Sequence, residues 1–392
     1  MVAGNYRHLC YRFGGPHAGR VTTVETTTAT EYARRRADLC AAMAARGWAA
    51  VAVTSPENVY FLTGLDHAGY FAFTLLIVTP DGPPMLVTRE MERPTVRAQL
   101  ADCRHHPYAD GADPAEVVAR ELAGVVPAGA AVAVEDESMF FPPAIRDRIR
   151  AALPDRRWCD ATGVLSAARL VKSAAEIAHV RAAAAVSDAA MRAVLSAARP
   201  GVPERTVAAA AQAALLAGGH EPGFAPLIRP LWMLDREHVS WGDRLLGTGG
   251  LFIELSGCVR RYHAPLSRTV HLGRPPADAG AAHQRALAGL TAAAGALRPG
   301  ARTGEVYAAW RRATGATRHH CGYLVGIGFP PSWVGGGEVL GIRPSGDTEV
   351  RPGMTFHLMS WVPGHVVSDT ALVADTGAEL LTTAPRTLTV LD

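Results

Sequence analysis

The chain has 392 residues, with 39 Lys and Arg against 36 Asp and Glu, and a formal net charge of +3 with histidine neutral. So balanced a charge, with no long basic run, gives nucleic-acid binding no electrostatic support. No run approaches the ~18 apolar residues of a membrane span. The length suits two domains of ordinary size with ample core. The cysteines, Cys10, Cys40, Cys103, Cys159, Cys258 and Cys321, are scattered with no CxxC pair, so free thiols in a reducing cytoplasm are expected. The first residues also lack the apolar segment of a signal peptide.

Residues 1–28 read as a polar, glycine-containing extension. An alanine-rich amphipathic helix follows from Glu31 to Arg46, with Arg34, Arg35 and Arg36 expected on a solvated face. AAVAVTS then predicts a strand, and FTLLIVTPDGPPMLVT a hairpin, because two β-rich runs flank a Pro-Asp-Gly-Pro turn. AVAVEDE predicts another buried strand. Strands alternating with helices to about Ala161 indicate a small α/β domain. Ser173, with Glu176 three residues on, forms a capping box that opens a long helix. Helices then alternate with hairpins: PERTVAAAAQAALLAG, the FIELSG and RTVHLG strands, a helix near His283 to Leu297, and closing antiparallel strands from PGMTFHLMSW onward.

Between Leu251 and Gly273 the chain reads LFIELSGCVRRYHAPLSRTVHLG, and the helix entry has the form R-x-x-K-S-x-x-E-I from Arg169 to Ile177. The order of these motifs resembles the pita-bread hydrolases, which include prolidase, aminopeptidase P and creatinase. The resemblance implies an α/β creatinase-like N-terminal domain over 29–165. It also implies an α+β pita-bread domain with pseudo-twofold symmetry over 166–392. Peptide-hydrolysing members usually carry Asp where Glu254 and Pro265 stand, His where Tyr323 stands, and Glu where Met359 and Ser368 stand. Four of the five metal-ligand positions are therefore emptied, and the fifth is lengthened to Glu254. One carboxylate with a tyrosine is a poor set of donors, so neither metal nor cofactor is expected. Within the family, RYHAPLSRTV, FPPSW, GDTEVRPGMTFHLM and WCDATGVL are similar to the metal-free branch, to ectoine hydrolase first and then to creatinase. Asp369, where ectoine hydrolases have Glu, and a shorter loop between Met359 and Ser368 are departures from that pattern.

The resemblance also implies site residues. His238 takes the place of the creatinase-type acid/base, its plain alternative being a surface His beside Glu237. Glu254, in the apolar run LFIELSG, should be desolvated and have a raised pKa; neutralisation by Arg268 is the structural alternative. Tyr262 and His263 are adjacent on a strand, so only one faces the pocket, and His263 is the expected one. Tyr323 should project to the old metal position, with His357 and Asp369 near the vacated Glu positions. Arg343 corresponds to an arginine that binds a substrate carboxylate, or else pairs with Asp347. Tyr70, Phe71 and Phe73 in HAGYFAFT correspond to an arm that reaches a partner subunit, implying a homodimer, or else pack into the core.

The expected function is metal-independent hydrolysis of a non-peptide C–N bond, of amidine or guanidine type, in a small amino-acid-derived substrate. The alternatives are a tailoring enzyme of the same fold that cyclises, dehydrates or isomerises, and a non-catalytic binding protein.

Overall fold

The computed structural model describes residues 29–334 and 340–392; the extension read over 1–28 lies outside them. Helix α1 (Ala29–Ala44) leads into strand β1 (Trp48–Val53), the strand that AAVAVTS predicts. Ser55 caps α2 (Pro56–Thr63), its side chain accepting from the Asn58 N–H while Pro56 occupies the first turn. The buried Glu135 carboxylate accepts from the Thr54 and Ser55 N–H groups at the same helix start, where the helix dipole favours an anion. The predicted hairpin forms as antiparallel β2 (Leu75–Val78) and β3 (Met85–Arg89). Then come α3 (Arg93–Gln99), β4 (Arg104–Tyr108), α4 (Pro114–Val125), β5 (Ala131–Val134), α5 (Pro143–Ala152) and β6 (Arg157–Asp160). They complete a mixed sheet in the order β4-β3-β2-β1-β5-β6.

A short helix, α6 (Thr162–Ala168), connects to the second sheet. The capping box then opens α7 (Ala174–Ala197): Ser173 Oγ accepts from the Glu176 N–H, and Glu176 accepts from the Ser173 N–H. The chain continues through α8 (Glu204–Gly218), β7 (Leu227–Pro230), β8 (Gly249–Val259), β9 (Tyr262–Leu272), α9 (Ala279–Ala296) and α10 (Thr303–Thr314). It closes with β10 (Gly322–Leu324), β11 (Thr355–Val362), β12 (His365–Ala374), β13 (Gly377–Leu380) and β14 (Thr389–Leu391). The second sheet runs β10-β11-β12-β9-β8-β7, with β13 on β12 and β14 on β9. The α7–α8 pair packs on the β8 side, and the α9–α10 pair packs through α9 on β11 and β12. Each half thus contributes a helix pair and a hairpin, which is the pseudo-twofold plan. Gly257 lets α7 lie directly on β8: its N–H donates to Ser187 Oγ at 2.6 Å, and a Cβ there would strike the Ala183 carbonyl.

The arginine-rich stretch of α1 departs from the expected solvated face. Arg34 is exposed and pairs with Asp38, but Arg35 is 3% exposed. Its guanidinium donates to Glu31 at 2.8 Å and to the Phe61 carbonyl at 2.9 Å, and lies 3.4 Å from Glu176 of α7. This face of α1 meets the second domain, so two carboxylates replace the water that a lone helix would offer.

The β8–β9 hairpin turns through Arg260 and Arg261, both in the left-handed region at φ 51° and 65°. Two positive φ values suit the twist of a two-residue hairpin, at a cost for residues other than glycine. The first domain holds this turn. Tyr60 Oη donates to the Arg260 carbonyl at 3.0 Å, and Arg261 pairs with Asp66 at 2.6 Å. No helix among the described residues is long and apolar enough to cross a membrane.

Candidate active site

One face of the second sheet gathers the positions singled out in the sequence. Glu254 on β8 lies opposite Ser267 on β9, Ser267 opposite Ser368 on β12, and Ser368 opposite Met359 on β11. His357, two residues before Met359, lies opposite Tyr323 on β10. Strand alternation puts Ile253 and Leu255 on the other face, in the core beneath α7 and α8. Glu254 is therefore a carboxylate in the middle of an apolar strand, pointing away from the hydrophobic layer.

Above this face lies a cavity of about 240 Å³, lined by Glu254, Tyr323, His238, Glu237, Arg318 and Trp333 together with apolar side chains such as Phe224 and Met359. Its size suits a small metabolite. Glu254 is buried and no hydrogen-bond donor reaches it among the described residues; His357 Nδ1 stands 3.9 Å from its carboxylate. Burial pushes its carboxyl pKa up to about 7, against the pull of the Arg229 and Arg318 charges. Arg229 is fully buried on β7, its guanidinium 4.6 Å above the Phe252 ring, and burial lowers its own pKa. Among the described residues the Arg229 guanidinium donates from Nη1 to the Val239 carbonyl, and its Nε and Nη2 have no acceptor. Glu254 is the carboxylate whose charge acts most strongly on it.

Behind the cavity wall runs a chain of hydroxyl groups and an imidazole. Trp333 Nε1–H donates to Tyr323 Oη at 3.0 Å, and Tyr323 Oη lies 2.9 Å from His357 Nδ1. His357 Nε2 is 2.6 Å from Ser368 Oγ, which donates to Ser267 Oγ at 2.7 Å. With that direction His357 carries its proton on Nε2 and accepts the Tyr323 hydroxyl at Nδ1. Burial lowers the His357 pKa to about 3 and pushes the Tyr323 phenol far up, so both stay neutral.

This donor set does not fit a divalent metal. Both His357 nitrogens are engaged with hydroxyls, and Glu237 is paired with Arg318. Among the described residues no group of three or more His, Cys, Asp or Glu side chains is placed to hold an ion. No step below is routed through one.

Of the residues read from sequence, Glu254, Tyr323 and His238 share the cavity, and His357 stands one layer behind Tyr323. His238 is exposed, with its ring stacked parallel to Phe224 at 6.5 Å between centroids. The rest lie elsewhere. Asp369 follows Ser368 and so faces the opposite side of the sheet, where Arg268 at 2.9 Å and Arg386 at 2.6 Å pair with it and Thr382 donates to it. Arg268 therefore neutralises Asp369, not Glu254.

Neither Tyr262 nor His263 lines the cavity. Tyr262 Oη donates to Glu176 at 2.8 Å, inside the contact between the domains. His263 is on the same face as Glu254 but pairs with Cys258, four residues along the hairpin. Its Nε2 accepts the Gly223 N–H at 2.9 Å and its Nδ1 faces the Arg261 carbonyl. Burial lowers its pKa to about 4, so it is a neutral clamp on the loop that delivers Phe224. Arg343 is exposed and outside the cavity lining. Its neighbour Ile342 is drawn into the core, which turns Arg343 outward.

Sequence reading missed Arg318, Glu237, Arg229 and Ser267. Arg318 pairs with Glu237 at 2.9 Å and lies 3.9 Å over the Trp361 ring. The one available signal was the Arg318-His319-His320 run just ahead of GYLVG, a basic cluster at the edge of the old metal turn.

Comparison with known proteins agrees with this fold. Residues 178–375 match metallopeptidase family M24, and residues 35–171 match the creatinase/prolidase N-terminal domain. An uncharacterised hydrolase/peptidase of Sinorhizobium fredii is 32% identical over 92% of this chain and 98% of its own. The ectoine hydrolase of Halomonas elongata is 29% identical over 93% of this chain and 98% of its own. Among solved structures, the dipeptidase PepE from Mycobacterium ulcerans superposes with a TM-score of 0.76 at 26% identity, covering 92% of this chain and 98% of that one. With its creatinase-type first domain and pita-bread second domain, the chain belongs to metallopeptidase family M24.

Proposed function

We propose that this protein hydrolyses a non-peptide C–N bond, of amidine or guanidine type, in a small amino-acid-derived substrate, without a metal ion. The observation that carries the reading is Glu254: a buried carboxylate with no hydrogen-bond donor among the described residues, facing a small cavity beside Tyr323 and Met359, two positions where the family resemblance implies metal ligands in peptide-hydrolysing members. A buried acid without a partner is expensive unless chemistry uses it. Its pKa near 7 keeps a large ionised fraction at neutral pH. Glu254 attacks the amidine carbon or directs water onto it, and His238 moves the proton to the leaving nitrogen. The net change is balanced: the water oxygen becomes the new carbonyl oxygen, the C–N bond breaks, and the two hydrogens of water end on nitrogen, at least one of them on the leaving nitrogen. The likeness to ectoine hydrolase supports this substrate class, while the likeness to dipeptidase PepE makes peptides the comparison to beat.

The test is to incubate the protein with ectoine, creatine, other guanidino acids and Xaa-Pro dipeptides in oxygen-labelled water, with and without EDTA. Products are read by mass spectrometry. One labelled oxygen in a ring-opened or cleaved amidine or guanidine, at a rate EDTA leaves unchanged, is the expected result. Cleavage of dipeptides alone, abolished by EDTA, would overturn the reading.

The protein is further proposed to act as a homodimer. The Phe71 ring, 76% exposed in the HAGYFAFT arm, is a surface that a second chain would cover. Light scattering under assay conditions tests this, and an active monomer contradicts it.

A further inference from the structure

The Arg318–Glu237 ion pair divides two spaces. On one side is the inner cavity of about 240 Å³ that Glu254 lines. On the other is an outer cavity of about 530 Å³, whose lining includes the exposed Asp235, Gly315 and Thr317. Glu237, Arg318 and Trp361 line both. A molecule in either space can therefore reach this pair.

Arg318 is built as a receptor more than as a surface charge. Its side chain is 11% exposed, and its guanidinium lies 3.9 Å over Trp361. Trp361 in turn packs on Phe252, and Phe252 carries Arg229 on its ring at 4.6 Å. Two guanidinium groups and two aromatic rings, the rings tilted 47° to one another, thus form one connected cluster that holds Arg318 in place. Arg318 Nε–H is buried and has no acceptor among the described residues, while Nη2 is 2.9 Å from Glu237. The Nε and Nη2 edge is the one that a carboxylate engages with two parallel bonds. Glu237, 38% exposed, makes only part of that contact and has water to return to.

We propose that Arg318 is the receptor for the substrate carboxylate, and that the substrate reaches it by displacing Glu237. The exchange leaves one anion on Arg318 before and after, so the guanidinium is never left without a counter-charge. It selects amino-acid-derived substrates that keep a free carboxylate and places the other end of a small molecule toward Glu254. This assignment rests on the amino-acid-derived substrate class proposed above and moves the anchoring role from Arg343 to Arg318.

The experiment measures binding by calorimetry in a Glu254→Gln background, so that turnover does not intervene. The probes are three carboxylates, ectoine, creatine and L-proline, each beside its carboxamide. Arg318→Lys, which keeps the charge but loses the fork, is expected to weaken the bound carboxylates about ten- to a hundredfold, the usual range for charge-assisted bonds. Glu237→Gln, which removes the competitor, is expected to tighten them, and neither change should alter carboxamide binding. A purely structural ion pair predicts loss in both variants, and that outcome overturns the proposal. So does equal affinity for carboxylate and carboxamide, or no binding by any probe. If Arg318→Lys fails to fold, the sign of the Glu237→Gln effect decides alone. Carboxylates that bind through Arg318 but are not hydrolysed by the unmutated protein would defeat the proposed reaction while leaving the receptor in place.

Discussion

Two buried carboxylates on strands β8 and β12 of one sheet, with β9 between them, have opposite surroundings. Asp369 is completely buried and fully served: Arg268, Arg386 and the Thr382 hydroxyl all reach it. Glu254 is buried nearly as deeply and is served by none of the described residues, and burial lifts its pKa to about 7. The first is what a sheet does with a charge it must keep. The second is a charge that the sheet leaves open to the cavity, where the proposed reaction would use it. Burial alone does not mark a functional acid; burial without partners, beside a cavity, does.

Exchanging each acid for its amide should break the comparison open. Glu254→Gln is expected to cut turnover of the proposed substrate by about a thousandfold or more, since a nucleophile or base is lost while the volume stays. Steady-state kinetics would check it, and a variant keeping more than about a tenth of the rate would reduce Glu254 to scaffolding. Asp369→Asn should instead unfold more easily, by about 3–5 kcal/mol, because Arg268 is left buried and half-paired. Urea titration measures that, and activity per folded molecule should persist.

The pH dependence sharpens the same contrast. Folding raises the Glu254 pKa from 4.5 to about 7, so the folded state holds a proton that the unfolded chain has lost. The stability contribution is fully present below the unfolded value and disappears as pH rises through about 7. Unmutated protein should therefore lose up to about 3 kcal/mol relative to Glu254→Gln between roughly pH 4 and pH 8. Parallel urea midpoints across that range would show it, and parallel curves would refute it. Turnover should rise along the same limb if ionised Glu254 attacks. The smallest effect concerns Tyr323→Phe, which removes the hydroxyl between Trp333 and His357. A stability loss of about 1–3 kcal/mol is expected from leaving His357 Nδ1 unpaired, measurable by the same titration.

Much of the fold was readable because its signals are local. The Ser173–Glu176 box, the Pro-Asp-Gly-Pro hairpin and the paired strands around Glu254 each announce themselves within a few residues. The site was readable where a position in a motif fixed it, as for Glu254, Tyr323 and Met359. It was misread where alternation was not followed through: once Ser368 faces inward, Asp369 must face outward. Arg318 and Glu237 were hidden for a different reason. They come together across 81 positions of sequence, from a loop after β7 and a segment after α10, and no local pattern encodes that meeting. Arg35 misled because an amphipathic helix does not reveal which neighbour will cover its charged side.

The Arg260–Arg261 turn bears on how freely this architecture can be taken apart. Both residues hold a left-handed backbone that costs of order 1–3 kcal/mol each, and Tyr60 and Asp66, which brace them, belong to the other domain. The strand carrying Glu254 ends in that turn. Recombination that swaps the first domain for a cousin's would hand the new partner a spring already wound, and only a cousin bringing its own latch for the two arginines would inherit a working active site.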